Sequence, residues 1–173
     1  MSVPSWDVFI IIFLVIAVGF GFIMQRDRVV SFLLSIYTGI VVSSVVVEPI
    51  RLFFTGNKTF ANSVWIQANI SPFTIQAVVF LVVAFLVAGK SGLGGKSTRG
   101  LLSPIEIIAY SFFNAVLLLS AVATFMPPEM RQGLQETSKM ARFIIDYRLF
   151  WTIAPVLLII VTGGIRRTSS SYD

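Results

Sequence analysis

Apolar residues in this chain fall into long, nearly unbroken runs separated by short polar breaks, at 8–24, 29–47, 73–88, 105–126 and 149–165. Each comes close to the roughly 20 residues an α-helix needs to cross a hydrocarbon layer about 30 Å thick. Strand alternation is absent from them, so the pattern predicts helices throughout. The punctuation agrees. Trp6 and Asp7 precede the first run, and Gln25-Arg26-Asp27-Arg28 follows it. Glu48-Pro49 is expected to end the second, Ser71-Pro72 opens the third, Gly89-Lys90 closes it, and prolines 104, 127 and 128 bracket the fourth. The fifth carries Pro155 in mid-run, a kink that membranes tolerate.

The four polar residues between the first two runs predict an antiparallel helical hairpin. Between the fourth and fifth runs, Met130, Leu134, Ala141, Ile144 and Ile145 recur near helical spacing among Arg131, Gln135, Glu136, Lys139 and Arg142. That is the signature of an amphipathic helix lying in the interface over 129–146. The fold predicted is therefore an all-α, polytopic transmembrane bundle. It has five spans, or four if the last does not cross, plus this interfacial helix, in one membrane domain covering 1–173.

Composition removes the soluble alternative. The chain is 56% hydrophobic and 12% charged, with 16 Phe among 173 residues and a mean hydropathy of +0.89. A water-soluble core of this size could not hide so much apolar surface. The chain has no cysteine and no histidine, which excludes disulfide scaffolds, thiol nucleophiles, Cys/His zinc sites and imidazole acid–base catalysis. The loop carboxylates show no paired spacing suited to hydrolysis. The sequence thus predicts no enzyme, no cofactor and no metal site.

The net charge of +5 comes from Lys and Arg at segment ends, where they anchor to lipid headgroups. The first run has no Lys or Arg before it and Arg26 and Arg28 after it, so it reads as a retained helix with its N-terminus outside. On that topology Arg26, Arg28, Lys90, Lys96, Arg99, Arg166 and Arg167 are the inner, headgroup-facing cations, and the C-terminus is cytoplasmic. Membrane lipids are the first expected partner, and nucleic acid is not expected because no basic stretch is interleaved with exposed aromatics.

Three patterns suggest specific roles. Ser31, Ser35, Gly39 and Ser43 recur every fourth residue on one face of the second helix, and small residues there let two backbones approach closely. Packing within the chain, with Ala17 and Gly21 of the first helix as counterpart, is preferred to a dimer seam. Asn114 is the strongly polar side chain near mid-span, and it is expected to find a hydrogen-bond partner among the serines of the second helix. Glu48 and Glu106 are within helical reach of Arg51 and Arg99. The stretch 89–97, Gly-Lys-Ser-Gly-Leu-Gly-Gly-Lys-Ser, ends like a phosphate-binding loop, but Lys90 stands where glycine is needed and a membrane helix replaces the preceding strand. It is a connector, with no nucleotide expected. Asn57-Lys58-Thr59 and Asn69-Ile70-Ser71 match the glycosylation triplet, a pattern that arises easily by chance.

The layout resembles the colicin V production protein family of bacterial inner-membrane proteins. The similar features are Trp6-Asp7 before the first run, the tight Arg26-Asp27-Arg28 turn, the serine- and glycine-spaced second span, Phe53-Phe54-Thr55-Gly56, two spans around a Gly-rich basic loop, and Arg142-Phe143-Ile144-Ile145-Asp146-Tyr147. They cover residues 5–148. The chain departs from the family at Gln25-Arg26, where an Arg-Gly pair is common, and in lacking an arginine on the helix that holds Asn114. The resemblance implies a non-enzymatic role in toxin or solute export or in envelope maintenance, as a helix-packing subunit or homo-oligomer. An oligomeric channel or small-solute transporter, with Asn114 and the serine face lining a path, is the rival expectation.

Overall fold

The computed structural model describes residues 5–23, 26–54, 71–90 and 104–169, with side chains described except at 26–27, 53–54 and 162–169. Among them are seven helices: α1 (Trp6–Ile23), α2 (Arg26–Phe54), α3 (Pro72–Lys90), α4 (Pro104–Phe125), α5 (Pro128–Thr137), α6 (Lys139–Asp146) and α7 (Arg148–Ser169). Four helices are long and apolar enough to cross a membrane, within Trp6–Ile23, Arg28–Leu52, Pro72–Lys90 and Pro104–Phe125. A fifth crossing arises if the pair Lys139–Asp146 and Arg148–Val161, bent by 66°, counts as one broken span.

Two expected helix ends are corrected. Helix α2 does not stop at Glu48-Pro49 but continues through the proline to Phe54. Proline forfeits its own N–H bond and crowds the carbonyl one turn earlier, and the next turn is reinforced by Arg51 donating to Glu48 Oε1 at 2.6 Å, the ion pair that the three-residue spacing predicts. The interfacial helix expected over 129–146 is two helices. Pro128 sits in the first turn of α5, where its missing N–H costs nothing. At Ser138 the backbone is extended and the side chain accepts from Ala141 N at 2.9 Å, so the serine caps α6 and turns it away from α5. Gln135 Nε2, donating to Asp146 Oδ1 at 2.9 Å, clasps the resulting elbow.

Helix α4 is the hub. Half of its spanning segment is buried, against 11% of α1. Its Leu117, Ala121 and Phe125 pack with Leu33 and Ile36 of α2 and Phe80 of α3. Its Val116 packs with Ile10 of α1, Ala141 and Ile144 of α6, and Trp151 of α7. Ile10 meets Val116 while Gly21 meets Ser111, so α1 runs antiparallel to α4. Val29 meets Asn114, and Leu33 and Ile36 cluster with Leu117 and Ala121, so α2 runs parallel to it. The first two helices are thus antiparallel, as their short connection requires. They are not, however, a close-packed hairpin.

Candidate functional site: a cavity at the α1–α2–α4 seam

The α1–α2 seam is loose because a glycine of each helix makes its close approach to a third helix. Gly21 of α1 lies against α4, where a β-carbon would collide with the Ser111 hydroxyl. Gly39 of α2 lies against α3, where a β-carbon would come within 3.0 Å of the Phe80 ring and 3.1 Å of the Phe80 carbonyl oxygen. Close approach at glycine draws each helix toward its own partner. Gly21 is therefore not the counterpart of the α2 small-residue face but packs on α4, which corrects the expected pairing, while Ala17 lines the cavity at the seam.

The cavity left between the three helices measures about 240 Å³. Phe13, Ile16, Ala17, Phe20 and Gly21 form its α1 wall and Val29 and Phe32 its α2 wall. From α4 come Ser111, Asn114, Ala115 and Leu118. Among the described residues no titratable side chain lines it.

Asn114 is 5% exposed, and its Nδ2 donates to the Val29 carbonyl at 2.9 Å. The expected serine partner is thus corrected to a backbone carbonyl near the start of α2. The reason is that the α2 serines are already satisfied on their own helix. Ser35 Oγ donates to the Ser31 carbonyl at 2.8 Å and Ser43 Oγ to the Ile40 carbonyl at 3.1 Å, the local bonding typical of helical hydroxyls. A carbonyl oxygen only accepts, so the Val29 contact fixes which end of the amide is nitrogen. Asn114 Oδ1 then has no hydrogen-bond partner among the described residues, and neither has Ser111 Oγ one turn earlier on the same helix face.

The remaining predicted residues divide plainly. Ser31, Ser35, Gly39 and Ser43 are all buried, as close packing demands. Arg28 and Lys90 are exposed at helix ends. Arg26, Arg166 and Arg167 lie on described helices, with side chains outside the described residues. Lys96 and Arg99, most of the glycine-rich connector, the triplet at 57–59 and the first two residues of the triplet at 69–71 lie outside the described residues altogether. Two features were missed. Ser111 precedes Asn114 by three residues and so shares its face, a spacing legible in the sequence. Asp7, read only as a polar flank, accepts hydrogen bonds from Ser138 Oγ at 2.6 Å and Met140 N at 2.9 Å.

Helices of this length and apolarity around a shared hub define a membrane-embedded helical bundle with a lateral, largely apolar cavity. Neither a protein-family model, a curated protein nor a solved structure matches the chain.

Proposed function

We propose that this protein is a non-catalytic membrane component that works by binding within the bilayer, as part of an export or envelope-maintenance apparatus. The observation that carries this reading is the buried, acceptor-only Asn114 Oδ1 at the wall of a cavity flanked by lipid-facing α1. A polar atom left so in hydrocarbon costs free energy unless a binding partner supplies a donor. The amide and hydroxyl that converge there do not titrate near neutrality, and a serine without an adjacent base is a poor nucleophile. The channel alternative loses support, because the α2 serines that would line a path bond to their own helix.

The setting in a bacterial inner membrane rests on the layout shared with the colicin V production proteins, and the orientation, N-terminus outside, on the charges flanking α1. One experiment tests the function. Complexes are extracted gently from membranes for native mass measurement, and the purified protein is assayed for ion and solute flux in liposomes. Bound mass beyond multiples of the 19.1 kDa chain, without flux, is expected. Flux abolished by Asn114→Ala would overturn the reading in favour of a conducting pore. Since the chain lacks cysteine, a single Cys at Met130 reports sidedness: outside labelling is expected, and inside labelling reverses the topology.

A further inference from the structure

We propose that the α1–α2–α4 cavity binds an uncharged, hydroxyl-bearing hydrocarbon amphiphile that enters sideways from the bilayer, its hydroxyl donating to Asn114 Oδ1. This rests on the reading of the protein as an intramembrane binder and names what is bound.

Hydrogen bonding selects the head of the ligand. Asn114 Oδ1 can only accept, because the amide nitrogen is held by the Val29 carbonyl, so the ligand must bring a donor. Ser111 Oγ, equally without a partner among the described residues, can donate or accept. A hydroxyl is the small group that satisfies both, donating to the amide oxygen and accepting from the serine. Among the described residues the wall offers no cation or anion, so a phosphate, a carboxylate or an ammonium would find no counter-charge there.

Position and shape select the rest. Asn114 bonds to the α2 backbone one residue past the exposed Arg28, so the head of the ligand sits near one end of α1 and α2 and its hydrocarbon extends from there along the α1 wall. At about 240 Å³ the cavity exceeds the roughly 150 Å³ of an apolar protein cavity that takes up benzene. A cluster of waters is disfavoured, since each needs two to four polar partners and the remaining wall is phenylalanine and aliphatic. Ile16 and Phe20, 63% and 53% exposed, border the opening on the lipid side and leave a path for the chain of the amphiphile.

The test uses the full chain in lipid nanodiscs with three diazirine-tagged probes of equal chain length: a long-chain alcohol, its methyl ether and the corresponding fatty acid. Crosslinks are mapped by mass spectrometry. The alcohol is expected to label the α1 segment around Phe13–Phe20 and the α2 segment around Phe32, with competition by untagged alcohol. The ether, which cannot donate, should label about tenfold less, the ratio set by one net hydrogen bond, and the acid should be similarly weak. Ala17→Phe fills the cavity and leaves both polar groups in place; it should abolish the labelling while native mass and detergent stability persist. Ser111→Ala should weaken alcohol and ether alike, since either oxygen can accept from the serine, and leave the preference for the alcohol over the ether in place. Equal labelling by alcohol and ether, or labelling indifferent to Ala17→Phe, would overturn the proposal, as would a protein crosslinked through the same face. That last result would leave the intramembrane-binding function standing, whereas flux in liposomes would remove the function itself.

Discussion

Asp7, at the start of α1, and Ser138, at the break between α5 and α6, are joined by a 2.6 Å hydrogen bond across 131 residues of sequence. The same carboxylate oxygen accepts from Met140 N, so the first turn of α6 is capped twice, by its own serine and by a group from another helix. The bond also puts the N-terminal end of α1 and the α5–α6 elbow on one side of the bundle, as an odd number of crossings between them would not.

Loss of this double cap should loosen the elbow. Ser138→Ala removes an N-cap at a buried position and should cost about 1 kcal/mol, read as a shift in the denaturation midpoint in detergent. Asp7→Asn keeps an acceptor oxygen and should be milder than Asp7→Ala. Because Asp7 and Ser138 share one network, the double alanine variant should lose less than the two single losses added together. Strict additivity would show that the bond contributes nothing.

Two glycines in α1 provide an internal control for the close approach to α4. A β-carbon at Gly19 would meet no atom within 4 Å, whereas one at Gly21 would collide with Ser111. Gly19→Ala should therefore be neutral or stabilising by up to about 1 kcal/mol through helix propensity. Gly21→Ala should destabilise by roughly 1–3 kcal/mol, the usual range for overpacking. Ser111→Ala removes the hydroxyl, and combined with Gly21→Ala it should recover part of that loss. Equal behaviour of the two alanine variants would show that α1 does not contact α4 at Gly21.

The sequence made helix existence legible because a span must be a long apolar run whatever it packs against. It could not say which small residue meets which helix. Gly21 and the Ser31–Ser43 stripe looked complementary because both are small, but Gly21 packs on α4 and Gly39 on α3, and only the three-dimensional arrangement decides between such pairings. Asn114 was conspicuous as a polar residue in mid-span, yet its partner was not, since a backbone carbonyl has no sequence signature. Pro49 misled for a related reason. A proline is a reliable stop in water, but inside a membrane-facing helix the alternative of exposing free carbonyls is worse than losing one bond. The break at Ser138 was hidden by an apolar periodicity that runs on across it.

The Gly39–Phe80 contact should be sensitive to side-chain size in steps. Alanine at Gly39 would need Phe80 to yield by a few tenths of an ångström, with the Phe80 backbone oxygen at 3.1 Å resisting, so a loss of about 1–3 kcal/mol is expected. Leucine cannot be accommodated without separating α2 from α3, and it should abolish accumulation of the folded protein. Wild-type expression and thermal stability for Gly39→Leu would remove the α2–α3 interface from this account.

The docking of α7 yields a last prediction. Pro155 has no N–H to give the Trp151 carbonyl, and at the adjacent residue the Thr152 carbonyl accepts a hydrogen bond from Tyr37 Oη of α2. The proline thus weakens the α7 backbone ladder where a side chain from another helix arrives to engage it. Tyr37→Phe removes that bond with almost no change of shape and should cost about 0.5–1.5 kcal/mol. The loss should concentrate in α7, so amide exchange at 151–156 should accelerate more than in α4. Pro155→Ala supplies the missing donor and should lessen the effect of Tyr37→Phe. Exchange that rises uniformly across the bundle, or not at all, would show that Tyr37 does not hold α7 in place.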